Sequence, residues 1–317
     1  MKKVLGLFIC FVFLNACVTN PFNPYPNIQT NDYQNAFLYK FGNLSADKLI
    51  ISIEGSGWMS TLGQRGTIMW HYVTLGAQIV QASGDDYTVV VPEKWRREPD
   101  KNWEKEYYES IDARLLYTME NLIEMYAESI NTYLSSHNYS SIYLVGSSEG
   151  ALILPFVYEK IIEKDKIKCL VSVAGGGLSV YESYQILINS RRTPRLHREA
   201  YSYILDTYGE GIPEGQDPIE ADRYGTIPLW LTSLLHIRAF EEYRNINIPV
   251  LFIHGERDYN VAVESTRYIQ ENLPDKPFEY IYYRNMEHSP NPWAFDYYSQ
   301  WVRFRNDIVN FIRNIDE

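Results

Sequence analysis

The chain has 317 residues, of which 45 % are hydrophobic and 22 % charged, a composition typical of a folded globular protein. Its formal net charge is −11, and its densest basic segment, residues 191–198, is short and interrupted by Pro194. Binding along a nucleic acid requires a local excess of Lys and Arg that neutralises phosphates. We therefore expect no nucleic-acid partner.

The N-terminus has the pattern of a targeting segment. It reads MKKVLGLFICFVFLNAC, in which Lys2 and Lys3 precede a nearly continuous apolar run over residues 4–14. A membrane-spanning helix needs about 20 apolar residues, so this run is too short to span a bilayer. A short apolar run behind a basic start is typical of the core of a signal peptide.

The end of this segment, Leu-Asn-Ala-Cys at residues 14–17, resembles the bacterial lipobox. In that motif signal peptidase cuts before a cysteine that then carries lipid. The resemblance implies a signal peptide over residues 1–16, lipidation of Cys17 and a Pro-rich tether over residues 17–35. It also implies a lipid-anchored protein of the bacterial cell envelope, with the outer membrane or the periplasmic face favoured.

Cysteine usage and motif content give no sign of a bound metal or cofactor. Only Cys169 lies outside the N-terminal segment, so the body of the chain cannot form an internal disulfide. The sequence has no cluster with metal-ligand spacing and no dinucleotide fingerprint. We therefore expect neither a metal nor a cofactor.

Short apolar runs rich in β-branched residues recur along the chain and predict strands. The predicted strands cover residues 37–41, 48–54, 87–92, 141–145, 167–173, 249–254 and 278–283. Helical periodicity predicts helices over residues 149–164, 261–273 and 295–315, and a longer helical stretch with a break over residues 104–137. Strands that alternate with helices imply a mostly parallel sheet with helices on both faces.

A candidate nucleophile lies between the fourth predicted strand and the helix that follows it. The segment reads Gly-Ser-Ser-Glu-Gly over residues 146–150. In this G-x-S-x-G spacing the serine occupies a sharp turn, and the glycines permit close approach of the strand and the helix. The positive N-terminal end of the helix faces the serine. The spacing favours Ser148 over Ser147, because only Ser148 has a glycine two residues away on each side.

Residues 178–247 interrupt the alternation of strands and helices. They contain helical stretches but no convincing strand, and they lie between two predicted strands. We expect one folded domain over residues 36–317, in which residues 178–247 form a helical cap over the active site. The aromatic side chains of this segment either line a pocket or form the core of the cap.

The candidate acid and base lie after the last two predicted strands. Asp258 ends the segment His-Gly-Glu-Arg-Asp that starts at His254, and Glu256 is the alternative acid. His254 itself is interpreted as a structural turn residue. His288 is the only histidine downstream of Asp258, and an imidazole takes and returns a proton near neutral pH.

Three features together resemble the α/β-hydrolase superfamily. They are the G-x-S-x-G turn of residues 146–150, called the elbow below, the H-G-x-x-D pattern of residues 254–258, and the chain order Ser148, Asp258, His288. The resemblance runs from about residue 37 to the C-terminus, outside the cap. It implies a Ser–Asp–His triad and a serine hydrolase that cleaves carboxylic esters through an acyl-enzyme on Ser148.

The resemblance also implies two backbone donors for the oxyanion formed during catalysis. One is the N–H of Glu149, the residue after the nucleophile. The other is the N–H of Ser56, with Gly57 as the alternative, in a turn where Glu54 stands at a position at which the family commonly has His.

Several functions remain open at this point. Besides a carboxylesterase, the chain could be a small-peptide amidase, a hydrolase of membrane lipids, or a non-catalytic binding lipoprotein of the envelope on a hydrolase scaffold. The expected partners are a small-molecule ester or amide substrate and a membrane contacted through the N-terminal lipid.

Overall fold

The computed structural model describes residues 30–33, 36–56, 75–93, 115–220, 227–290 and 297–317. Its strands are β1 (Thr30–Tyr33), β2 (Ala36–Gly42), β3 (Lys48–Ile53), β4 (Thr88–Pro92), β5 (Ser141–Ser147), β6 (Ile167–Val173), β7 (Val250–Gly255) and β8 (Phe278–Tyr283). They form one sheet in the order β1-β2-β4-β3-β5-β6-β7-β8. The strands from β3 to β8 pair in parallel, and β2 pairs antiparallel with β1 and β4.

The helices of the described residues lie around this sheet. They are α1 (Leu75–Ser83), α2 (Met119–Ser135), α3 (Glu149–Lys160), α4 (Val180–Asn189), α5 (Arg195–Tyr208), α6 (Pro228–His236), α7 (Phe240–Asn245), α8 (Glu264–Asn272) and α9 (Tyr297–Asp316). None of them is long and apolar enough to cross a bilayer.

Helices cover both faces of the sheet. Alternate residues of each strand point to opposite sides, so neighbouring residues of one strand pack in two different cores. Leu49 and Ile51 of β3 pack in a core that includes side chains of α2 and α3. Ile50, between them, packs in a second core with side chains of α1 and α9. The predicted mostly parallel sheet with helices on both faces is therefore confirmed.

The long helical stretch over residues 104–137 is interrupted, as its length predicts. Thr118 is the N-cap of α2, and its hydroxyl accepts a hydrogen bond from the Asn121 N–H at 3.3 Å. An N-cap residue has an extended backbone, so a helix cannot continue through it. Residues 104–114 lie outside the described residues.

Two elements lie where the sequence pattern did not predict them. The strand β1 falls within residues 17–35, the segment assigned to a tether, and pairs with β2 in a hairpin. The helix α1 is only nine residues long and has Gly76 in its first turn, which weakens a helical signal. The strands β3 and β4 are parallel neighbours, so a crossover connection must join them, and α1 lies in that connection.

The interval between β6 and β7 contains α4 to α7 and, among the described residues, no strand. The helices α4, α5 and α6 share a small core in which Leu187, Tyr201, Tyr208 and Leu231 are buried. Tyr201 and Tyr208 therefore serve as core residues of this helical insertion.

Candidate active site

Ser148 lies on the sharp turn between β5 and α3. Its backbone has φ 53° and ψ −116°, a conformation that L residues rarely adopt. A hydrogen bond from the Ser148 N–H to the Val173 carbonyl at 2.8 Å holds the turn against β6. The turn presents the Ser148 side chain at the carboxyl edge of the sheet.

The two glycines of the elbow are required by close backbone contacts. A Cβ on Gly146 would lie 2.6 Å from the Gly150 carbonyl oxygen, and a Cβ on Gly150 would lie 2.2 Å from the Ile53 carbonyl oxygen. The second contact also brings the start of α3 directly onto the end of β3. The elbow and the segment after β3 are therefore neighbours.

The structure brings His288 and Asp258 to Ser148 in one hydrogen-bonded series. His288 Nε2 lies 2.9 Å from Ser148 Oγ, and His288 Nδ1 lies 2.8 Å from Asp258 Oδ2. Glu256, the alternative acid, points elsewhere and pairs with Arg267 at 2.9 Å. With Nδ1 donating to Asp258, Nε2 is available to accept the serine proton.

The Asp258 carboxylate is fully buried and surrounded by N–H groups. Its Oδ1 accepts from the backbone N–H groups of Asn260 at 2.8 Å and Val261 at 3.0 Å, while its Oδ2 faces His288 and His254. Burial alone would raise the pKa of Asp258, but the charge of His288 and the hydrogen bonds from His254 and His288 outweigh it and hold that pKa well below its ordinary range.

Backbone contacts fix Asp258 and His288 relative to each other. The Arg257 N–H donates to the Met286 carbonyl at 3.0 Å, so the turn after β7 is bonded to the loop that carries His288. Gly255 permits this approach, because a Cβ there would lie 2.2 Å from the Glu287 carbonyl oxygen. The distance between Asp258 and His288 is therefore set largely by the main chain.

On the other side of Ser148, the segment after β3 is held by the side chain of Glu54. The Glu54 carboxylate accepts from the N–H groups of Leu75 and Gly76, both at 3.1 Å, and from the Ser52 hydroxyl at 2.9 Å. A carboxylate at the N-terminus of a helix is stabilised by the helix dipole. The residue that departs from the family pattern therefore anchors this segment to α1.

The segment after Glu54 runs against the candidate nucleophile. A Cβ on Gly55 would lie 2.9 Å from Ser148 Cβ, so only glycine allows this contact. Ser56 follows directly and is exposed. Gly57 and Cys17 lie outside the described residues.

Glu149 has a side-chain environment that the sequence pattern did not predict. Its buried carboxylate accepts from the Tyr117 hydroxyl at 3.2 Å and from the Trp230 indole N–H at 2.9 Å. The rings of Tyr117 and Trp230 are stacked, with centroids 5.9 Å apart. Trp230 belongs to α6, so the helical insertion contacts the residue next to Ser148, and no local motif indicates such a contact.

Two of the other described histidines pack on tyrosine rings. His137 stacks on Tyr133, and His236 stacks on Tyr181. No cluster of His, Cys, Asp and Glu side chains among the described residues has the arrangement of a metal site.

A scan against protein-family models found no match, and a search of curated proteins found none. Solved structures are similar in fold. A lipase-esterase related protein from Clostridium acetobutylicum is 16 % identical, with a TM-score of 0.53, and the match covers 88 % of this chain and 99 % of that chain. Est1E from Butyrivibrio proteoclasticus is 15 % identical, with a TM-score of 0.56 and coverage of 91 % and 98 %.

A proline iminopeptidase from Mycobacterium smegmatis is also similar, at 13 % identity and a TM-score of 0.54, with coverage of 92 % of this chain and 99 % of that chain. At such identities the likenesses show the fold, which is the α/β-hydrolase fold predicted from the sequence. The named neighbours include an esterase-related protein and a peptidase, so the fold leaves the choice between ester and amide substrates open.

Proposed function

We propose that the chain is a serine hydrolase that cleaves carboxylic esters through an acyl-enzyme on Ser148. The observation that carries the proposal is the series of two hydrogen bonds, at 2.9 and 2.8 Å, that joins Ser148 Oγ to His288 and His288 to Asp258. This series ends at a serine in a strained strand-to-helix turn, which is the arrangement that nucleophilic acyl transfer requires.

The reaction proceeds in two balanced halves. His288 Nε2 accepts the hydroxyl proton while Ser148 Oγ forms a bond to the substrate carbonyl carbon, whose oxygen becomes an oxyanion. The imidazolium then returns that proton to the leaving alcohol as the C–O bond breaks, which leaves an acyl group on Ser148. Water repeats the sequence and releases the acid. Asp258 stabilises the imidazolium in both halves because its carboxylate remains ionised.

The oxyanion would accept hydrogen bonds from the backbone N–H groups of Glu149 and Ser56, with Gly57 as the alternative to Ser56. Glu149 is the first residue of α3, so its N–H lies at the positive end of the helix dipole. The contact between Gly55 and Ser148 supports the second donor, because it brings the segment after β3 to the nucleophile.

A small-peptide amidase is the second candidate function. The similarity to a proline iminopeptidase over 92 % of this chain favours it. We prefer the esterase, because peptidases of this fold commonly carry a propeller or a longer cap. The acylaminoacyl peptidase from Pyrococcus horikoshii is matched over only 41 % of its length.

The substrate is tested with purified protein and a series of p-nitrophenyl esters of increasing acyl length, run beside an aminoacyl p-nitroanilide. We expect ester turnover that is lost in Ser148→Ala and retained in Ser147→Ala, a matched change one residue away. Faster anilide turnover would favour the amidase, and preference for long acyl chains would favour membrane lipids. A folded protein that turns over none of these substrates would support the non-catalytic binding lipoprotein.

We further propose that Cys17 carries a lipid that anchors the chain in the bacterial cell envelope. The support is the sequence of residues 1–17, a basic start and a short apolar run that ends in a lipobox-like segment. Labelled palmitate should be incorporated into the wild type and not into Cys17→Ser, and membrane fractionation should follow the label. Incorporation of equal label into both proteins would contradict the assignment.

A further inference from the structure

His254 is a buried histidine that the proposed reaction does not use. It lies at the carboxyl end of β7, and its side chain is completely inaccessible to solvent. Its Nδ1 is 2.8 Å from the Thr266 hydroxyl oxygen, and its Nε2 is 3.1 Å from the Val261 carbonyl oxygen. Nε2 also lies 3.2 Å from Asp258 Oδ2.

These partners determine which nitrogen carries the proton in the neutral ring. Nε2 faces two oxygens that can only accept, the Val261 carbonyl and the Asp258 carboxylate, so it must carry a hydrogen. Nδ1 then accepts the hydroxyl proton of Thr266, the one partner that can donate. Of the two neutral tautomers, only the one with the proton on Nε2 satisfies the three contacts together.

We propose that His254 is a positioning residue for the proposed hydrolase, holding the Asp258 carboxylate and the loop that surrounds it in the orientation His288 needs. The proposal rests on the proposed function of Ser148. It extends the series of contacts to five side chains, from Thr266 through His254, Asp258 and His288 to Ser148.

The contacts of His254 limit the freedom of the Asp258 carboxylate to rotate. The Asp258 Oδ1 is held by the N–H groups of Asn260 and Val261, and the carbonyl of the same Val261 residue accepts from His254. His254 therefore fixes the loop that holds Oδ1 and also contacts Oδ2. Rotation of the Asp258 carboxylate would break its bonds to the Asn260 and Val261 N–H groups, its contact with His254 and its bond to His288 together.

A neutral donor suits this position better than a cation. During proton transfer His288 becomes an imidazolium, which the Asp258 charge stabilises. A lysine or arginine beside Asp258 would compete for that charge. An imidazole in its neutral form instead supplies a hydrogen-bond donor and leaves the ion pair to His288.

The test uses the full-length protein in mild detergent and compares His254→Phe, His254→Gln and Thr266→Val with Thr88→Val as control. Thr88 is a buried threonine whose hydroxyl bonds to the Asn43 carbonyl at 2.7 Å, away from Ser148. We expect His254→Phe to lower kcat by about 100-fold, the loss typical of a 1 Å misplacement of a catalytic group, with little change in KM. Gln places an amide N–H near the position of Nε2 and should restore most of kcat.

Thr266→Val should lower kcat by a smaller factor, and Thr88→Val should leave kcat unchanged. If His254→Phe does not fold, the kcat values of Thr266→Val and Thr88→Val test the proposal instead. A folded His254→Phe with wild-type kcat would overturn the proposal, as would equal kcat values for Thr266→Val and Thr88→Val.

A second measurement is independent of activity. In protein labelled with ¹⁵N-histidine, the nitrogen shifts of His254, assigned by its absence in His254→Gln, should show the proton on Nε2. A proton on Nδ1 alone would overturn the proposed contacts even if the enzyme is active. Failure of the wild type to hydrolyse any substrate while this tautomer is present would instead contradict the proposed function.

Discussion

On the side of Ser148 where Asp258 and His288 lie, main-chain hydrogen bonds join the turn after β7 to the loop after β8, as between Arg257 and Met286 at 3.0 Å. On the opposite side, the segment after β3 is anchored by the Glu54 carboxylate, which accepts two N–H groups of α1. A substitution of Asp258 or His288 should remove a chemical group and leave these main-chain bonds in place. A substitution of Glu54 should displace a whole segment of backbone.

The largest effect is expected on the acid and base side, in Asp258→Asn. An amide cannot stabilise the imidazolium and disturbs the tautomer of His288, so kcat should fall by about 10⁴-fold, as for the equivalent change in the triad of serine proteases. Steady-state kinetics with a p-nitrophenyl ester measure the loss.

The control for this change is Asp316→Asn at the far end of the sheet. Asp316 is also a hydrogen-bonded carboxylate, contacted by Tyr143, by Tyr87 and by Lys48. Its replacement should lower the free energy of unfolding and leave kcat of the folded enzyme unchanged. Similar kcat losses in both variants would show that general destabilisation, and not the position of Asp258, is responsible.

On the oxyanion side we expect Glu54→Ala to lower kcat by about 10²- to 10³-fold, the cost of losing one oxyanion donor. The reason is displacement of the backbone after β3, which the Glu54 carboxylate bonds to the start of α1. Glu182→Ala provides the control, because Glu182 also accepts a helix N-terminal N–H, that of Ser179 at 2.8 Å, within the helical insertion. Equal activity of Glu54→Ala and Glu182→Ala would contradict the role of Glu54.

A smaller effect is expected where the helical insertion contacts the elbow. Trp230→Phe removes the indole N–H that donates to Glu149 at 2.9 Å, and a hydrogen bond to a buried charged group contributes about 1.5–3 kcal/mol. The free energy of unfolding, measured with urea, should fall by that amount. Trp301→Phe, a change at a half-buried tryptophan on the other face, is the matched control.

The smallest effect is expected in the acid stability of the protein. The pKa of Asp258 is lowered in the folded state by His288 and His254 despite burial, so ionised Asp258 stabilises the fold above the unfolded pKa of about 4. This contribution is lost as the pH falls below that value. The difference in unfolding free energy between wild type and Asp258→Asn should therefore shrink below about pH 4. A difference that is constant with pH would contradict the lowered pKa.

The difference between the two sides of Ser148 also explains which features of the fold and the site the sequence predicts. The strand β6 has its predicted bounds, because a buried parallel strand is a largely apolar run between polar turns. The edge strand β8, which is only partly buried, also has its predicted bounds. Ser148, Asp258 and His288 each stand in a short local segment at a strand end, so local patterns select them although 140 positions separate Ser148 from His288.

The parts that the sequence did not predict depend on distant partners. Glu54 is bonded to residues 21 and 22 positions away, in a short helix whose first turn contains a glycine. The contact of Glu149 with Trp230 joins residues 81 positions apart in two different elements. Side-chain contacts of this kind have no periodicity and no fixed spacing, so only the folded chain shows them.

The most direct test of the central claim is fluorophosphonate labelling followed by peptide mass analysis. The account predicts one adduct per chain, located on Ser148, absent in Ser148→Ala and retained in Ser147→Ala. A folded wild-type protein that takes up no label, or that takes up the label on another residue, would contradict the assignment of Ser148 as the nucleophile.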